Sequence, residues 1–239
     1  SIALGTCSGL GTLLPAVFAG ENLFRGDGLI LLIGVAITLA GIAVIGYAGS
    51  LRSRVMSEED RRAAIKDFAL TKGLAVALLA GLMSACFNLG LEAGQGISEE
   101  FAKMGTSDQF VTLPATLMVT LGGAFTNIAY CLYQNVRNKT FGDYAKRSGW
   151  ANNLLFCALA GLLWYSQFFG LAVGKTFLAS SPAMLAFAWS ILMSLNVIFS
   201  NVWGIILKEW RGVDTKTAAT LVSGLAILIF SLIFPSLFN

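Results

Sequence analysis

Amide, hydroxyl and indole side chains recur at helical spacing inside four long apolar stretches of this 239-residue chain. Residues three, four, seven or eleven apart share a helix face. One stretch sets Gly81, Ser84, Asn88, Glu92 and Gln95 on one face, and the next sets Thr116, Thr120, Gly123, Asn127 and Gln134. A third carries Asn153, Ala160, Trp164 and Gln167 with Tyr165 adjacent. The fourth carries Trp189, Asn196 and Trp203, with Ser190, Ser194 and Asn201 on the neighbouring stripe. Taken singly, such residues are packing groups or interhelical hydrogen bonds worth about 0.6–2 kcal/mol each. Taken as a set, they supply donors and acceptors for hydroxyls and flat apolar faces for a C–H surface, which is what a sugar needs. No basic residue lies mid-span to pair with an anion, so a neutral polyol is favoured over a charged solute.

Glu92, in NLGLEAG, is the one carboxylate inside a predicted span. An ionisable group in a membrane is a functional hypothesis by default, because placing charge in lipid is costly. Three readings stand: a proton carrier, a solvated carboxylate at the outer interface, or a structural hydrogen bond. Lys72 and Glu92 are 20 residues apart, roughly 30 Å along a helix, which is what brings the interface into the choice.

Other chemistry is excluded by composition. The chain has no histidine, so His metal sites, His proton relays and Ser-His or Cys-His catalysis are absent. Cys7, Cys86, Cys131 and Cys157 fall inside apolar runs with no CxxC pair and read as small packing residues, not as a disulfide framework or zinc site. No Walker loop or paired catalytic carboxylates occur. An enzyme, a metal or cofactor requirement and nucleic-acid binding are all disfavoured.

The elements that must position these side chains are membrane helices. Hydrophobic residues make up 56% of the chain and charged ones 12%, with a mean hydropathy of +0.75, too few charges for a water-facing surface. Seven apolar runs qualify as spans: 2–19, 28–49, 73–94, 110–134, 150–173, 184–207 and 216–235. Continuous runs of this length fit helices, not the alternating strands of a barrel. Between them, Lys and Arg number 1, 6, 1, 4, 1 and 3, beginning with Arg25 and ending with Lys208, Arg211 and Lys216. The positive-inside rule then places the residue-1 side in the cytoplasm and the C-terminus outside, unlike a heptahelical receptor. Residues 51–72 carry ten charges, with 58–67 expected as a solvated cytoplasmic helix; 98–105 is expected as a short amphipathic helix at the outer surface.

Two segments resemble each other. FRGD at 24–27 and WRGVD at 210–214 each follow a helix ending near a carboxylate (Glu21, Glu209), and each precedes a Gly/Ala/Leu/Ile-rich helix. The spans before them point in opposite directions, as in an inverted repeat, which is a mark of secondary transporters. On this reading 1–50 holds the last two helices of a first five-helix repeat, 51–72 a cytoplasmic linker and 73–239 a second complete repeat. Ser1 opens inside an apolar stretch without a preceding Met, so the chain reads as the C-terminal part of a longer protein whose first three helices are missing.

GLLWYSQFF at 161–169, AWSILMS at 188–194 and LKEW at 207–210, with KGLAVALLAGLMSA at 72–85 and VTLPA at 111–115, resemble the L-rhamnose–proton symporter family of the drug/metabolite transporter superfamily. The resemblance runs along essentially the whole chain. It implies an all-α polytopic helix bundle of two inverted five-helix halves, and uptake of L-rhamnose across the inner membrane driven by protons. The sugar is then expected on Trp164, Tyr165 and Gln167, next on Trp189 and Ser194, with Asn88, Asn127 and Asn196 from the polar stripes. Glu92 is the proton-coupling candidate. A metabolite exporter or a non-transporting membrane scaffold on the same fold are the competing readings.

Overall fold

The structure, a computed structural model, describes residues 2–55, 70–145 and 149–238. Among the described residues it is helical, without strands. Eight α-helices follow in order: α1 (Ile2–Phe18), α2 (Gly26–Val55), α3 (Leu70–Ala93), α4 (Gln95–Lys103), α5 (Leu113–Asn138), α6 (Trp150–Leu178), α7 (Pro182–Ile206) and α8 (Thr215–Ile233). Short 3₁₀ turns follow α5 and α8 at Phe141–Ala145 and Phe234–Phe238. Six of the helical segments are long and apolar enough to cross a membrane; the first expected span forms the shorter helix Ile2–Phe18, of 17 residues. The cytoplasmic helix expected at 58–67 lies outside the described residues.

Helix starts follow their local sequence. Ser181 accepts a hydrogen bond from the Met184 amide at the head of α7, with Pro182 in the first turn where its missing N–H costs nothing. Asp214 caps α8, accepting from the Thr217 amide and from the Thr217 hydroxyl. These bonds, the Thr217 hydroxyl first, hold its carboxyl below the usual carboxylate range.

The chain forms two compact units. Residues 1–89 with 178–239 make the first, in which α1 packs on α2 and α7, and α2 packs most extensively on α8. Both pairs run antiparallel. Along α1, Cys7 meets Met193 and Ser8 meets Ser190, while Gly11 meets Trp189. Along α2, Gly41 faces Leu228 and Ile45 faces Gly224. The α2–α8 seam is apolar, with Ile42, Ile45, Ala48, Leu221 and Leu228 buried in it beside Val197. It is also very close. A methyl on Gly41 would stand 2.8 Å from the Leu228 side chain, and one on Gly224 would stand 2.6 Å from that of Ile45. The second unit, 90–177, holds α4, α5 and most of α6, with α4 packed on α5.

Three sequence expectations need correction. The helix carrying Glu92 ends at Ala93, and Gly94 separates it from α4, so Gln95 begins a new helix and does not continue the polar face. Helix α6 runs on to Leu178, which places Lys175 in its last turn and not in a loop. Of the four free cysteines only Cys7 is buried; Cys86, Cys131 and Cys157 are exposed and do not pack inside the chain.

Candidate functional site

Pro15 lies inside α1 and has no N–H to offer the carbonyl four residues earlier, that of Gly11. The Asn88 side-chain amide of α3 donates to that oxygen at 2.7 Å. An unpartnered backbone group away from water costs about 1–3 kcal/mol, so this bond explains a buried amide at position 88. Beside it, the Trp189 indole N–H donates to the Cys7 carbonyl at 3.4 Å. The ring lies so close to Gly11 that a methyl there would overlap the indole nitrogen. Phe87 stacks on Trp189, with ring centroids 6.5 Å apart. The Ser8 and Ser190 hydroxyls share a hydrogen bond of 2.8 Å. Thr12 and Ser194 are buried too, yet their hydroxyls meet no hydrogen-bonding protein atom.

Of the expected site residues in this unit, Asn88, Trp189 and Ser194 are thus gathered along the α1–α7 seam. Asn196 is exposed, and its amide returns to the Leu192 carbonyl of its own helix. Sequence reasoning placed no sugar-binding residue on α1. The signal that points to α1 is Pro15 four residues after Gly11, which announces an orphaned carbonyl.

In the second unit, Glu92 accepts from Lys175 at 3.1 Å and from Gln95 at 2.9 Å. Both side chains of the ion pair are about one-third exposed, at 31% for Glu92 and 32% for Lys175. The pair joins the last turn of α3 to the last turn of α6, so neither charge is left alone. Tyr165 donates to the Leu113 carbonyl over 3.5 Å, and Trp164 and Tyr165 both set an edge against Phe168. Trp164 is half exposed and Gln167 half-buried. Asn127 is exposed, with its amide on the Gly123 carbonyl of the preceding turn.

At the end of α7, Lys208 adopts a left-handed backbone (φ 61°). The amide of Glu209 then closes on the Gly204 carbonyl at 2.8 Å. This turn presents Glu209 to Arg52 at 3.6 Å and lays Trp210 under its guanidinium, 5.2 Å from the ring centre. The LKEW segment is therefore a docking point for the end of α2.

The sequence profile of the L-rhamnose-proton symport protein (RhaT) family matches residues 1–235. The chain belongs to this family. An L-rhamnose-proton symporter of Mannheimia succiniciproducens is 32% identical over 238 residues, covering 96% of this chain and 67% of that protein. L-rhamnose-proton symporters of Yersinia pestis and Yersinia pseudotuberculosis are 31% identical over 241 residues, with the same coverage. No solved structure matches the chain. Membership of the symport family agrees with an all-helical, multi-pass membrane protein that is a transporter and not an enzyme.

Proposed function

We propose that the chain imports L-rhamnose together with protons, by alternating access across the cytoplasmic membrane. The observation that carries this reading is the match of nearly the whole chain to the L-rhamnose-proton symport family and to relatives of that name. Its membrane helices support it chemically, offering neutral donors, acceptors and aromatic faces, as a sugar requires. Asn88, Trp189, Ser194 and Asn196 in the first unit, and Asn127, Trp164, Tyr165 and Gln167 in the second, are the proposed sugar-binding groups. The residue-1 side is cytoplasmic and the C-terminus external, following the alternation of loop charge.

The inverted repeat gains support from packing in the first unit. Asp27 and Asp214 are 187 positions apart. So are Gly41 and Leu228, which meet on the α2–α8 seam, and Cys7 and Ser194, whose neighbour Met193 lies 3.7 Å from the Cys7 sulfur. Two antiparallel helix pairs thus cross near residues related by one offset, as a two-fold axis in the membrane plane requires.

Glu92 is the proposed proton carrier, with Lys175 as its counter-ion. A proton taken up by Glu92 cancels the carboxylate charge and leaves the ammonium unpaired; its release restores the pair. The test uses de-energised cells expressing the complete gene in weakly buffered medium. Adding L-rhamnose is expected to make the medium more alkaline, and other sugars are not. Uptake of labelled L-rhamnose with no pH change refutes proton coupling. Neither signal, in cells that contain the protein, refutes import.

A further inference from the structure

Two buried hydroxyls in the first unit depart from a habit that several others among the described residues keep. Thr6, Thr38, Thr116, Thr120, Ser200 and Ser231 each return their hydroxyl to a carbonyl three or four residues earlier in the same helix. That is the ordinary way a membrane helix satisfies such a group. Thr12 and Ser194 are 97% and 100% buried and bond to no protein atom. They are also placed symmetrically. Thr12 stands one turn beyond Ser8 on α1, and Ser194 one turn beyond Ser190 on α7. Because the helices are antiparallel and Ser8 bonds Ser190, the two unpartnered hydroxyls flank that pair on opposite sides, about 12 Å apart along the seam.

Four hydroxyls in a row, without a carboxylate or a base among them, offer both donors and acceptors and carry no charge. That is complementary to a neutral polyol. The spacing suits a monosaccharide: roughly 5.5 Å between hydroxyls across a pyranose, plus two hydrogen bonds of about 2.8 Å each, comes to a similar length. Trp189, buried on the same seam, adds an aromatic face once the helices part.

We propose that the α1–α7 seam is the sugar's hydroxyl-binding subsite, with Thr12 of α1 and Ser194 of α7 as substrate-contacting residues. The Ser8–Ser190 bond is the contact that the sugar's own hydroxyls replace when the helices part. This rests on the reading of the chain as an L-rhamnose importer and adds α1 to its site.

The test measures L-rhamnose uptake by the complete protein, with Thr12→Val, Thr12→Ser and Ser194→Ala compared at equal membrane abundance. Thr12→Val and Ser194→Ala are each expected to raise the apparent KM about ten-fold with maximal rate within about twofold, and Thr12→Ser to stay near the parent value. A panel of singly deoxygenated L-rhamnose analogues supplies a readout that a packing role does not move. One analogue that is penalised by the parent protein is expected to lose that penalty against Thr12→Val, and another against Ser194→Ala. Unchanged KM in both variants, or identical discrimination among analogues by parent and variants, overturns the subsite. If Thr12→Val does not reach the membrane, the analogue series with Ser194→Ala and Thr12→Ala decides. A parent protein that takes up no L-rhamnose overturns the importer reading and this subsite with it, whereas parental uptake with unaffected variants overturns the subsite alone.

Discussion

Pro15 accounts for Asn88: the proline frees the Gly11 carbonyl of α1, and the asparagine amide of α3 donates to it at 2.7 Å. Asn88→Leu is expected to lower stability by about 1–3 kcal/mol through the stranded carbonyl. In a Pro15→Ala background the helix supplies its own N–H, and the same substitution is expected to cost much less. Survival of the detergent-solubilised protein on heating, measured for the four members of this cycle, checks the coupling; additive losses would sever the link.

The two close glycines of the α2–α8 seam differ in what surrounds them. A methyl at Gly41 meets the flexible end of Leu228, whereas one at Gly224 meets both the Ile45 side chain and, at 3.0 Å, the Ile45 backbone nitrogen. Both substitutions overpack the seam, which costs about 1–3 kcal/mol. Gly224→Ala is expected at the upper end and Gly41→Ala at the lower, because a side chain yields more readily than a helix backbone. The order of their heat-inactivation midpoints checks this.

Asp214 caps α8 through Thr217, and its carboxyl holds a proton less tightly folded than unfolded. Its contribution is therefore present at neutral pH and is lost as acidification carries the carboxyl through its depressed folded value, below about pH 4. Asp214→Asn keeps a cap without this titration, and Asp214→Ala removes both. Heat stability from pH 7 down to pH 3 is expected to fall less steeply for either variant than for the parent, with Asp214→Ala already lower at pH 7.

Glu92→Gln leaves the Lys175 ammonium facing an amide, and Lys175→Met leaves the carboxylate facing a thioether. If Glu92 carries the proton, Glu92→Gln abolishes L-rhamnose-dependent alkalinisation while binding of the sugar persists. Lys175→Met retains the carrier and is expected to keep the alkalinisation. Alkalinisation of parental size in Glu92→Gln would remove Glu92 from the proton path.

Trp164→Ala and Gln167→Ala test the sugar-binding groups proposed in the second unit. Each is expected to reduce L-rhamnose uptake at least about ten-fold, since a sugar loses an aromatic face in one and an amide in the other. Undiminished uptake by both, at equal expression, would remove these two residues from the proposal.

The helices were legible because lipid leaves a long apolar run no alternative to hydrogen-bonding within itself. Their ends were less so. The apolar run of α6 fades after residue 173, but a lysine with a long aliphatic stem can extend a helix while its charge finds a partner, and Lys175 finds Glu92. Gln95 shares helical spacing with Glu92, and only the turn at Gly94 separates them. At the candidate site, Asn88, Trp189 and Ser194 were visible as polar interruptions of apolar helices. Thr12 was not, because a lone threonine ordinarily bonds back to its own helix, and its failure to do so appears only in three dimensions.

The α2–α8 seam has a rival for its surfaces. In a bilayer, acyl chains wet isoleucine, leucine and alanine about as well as another helix does, so no expulsion of water holds the two together. What favours the pair is the interlocking at Gly41 and Gly224, which flexible chains match poorly. Stiffer, more saturated lipids solvate such a notched surface less well, so lipid composition tunes the strength of this contact without changing a residue.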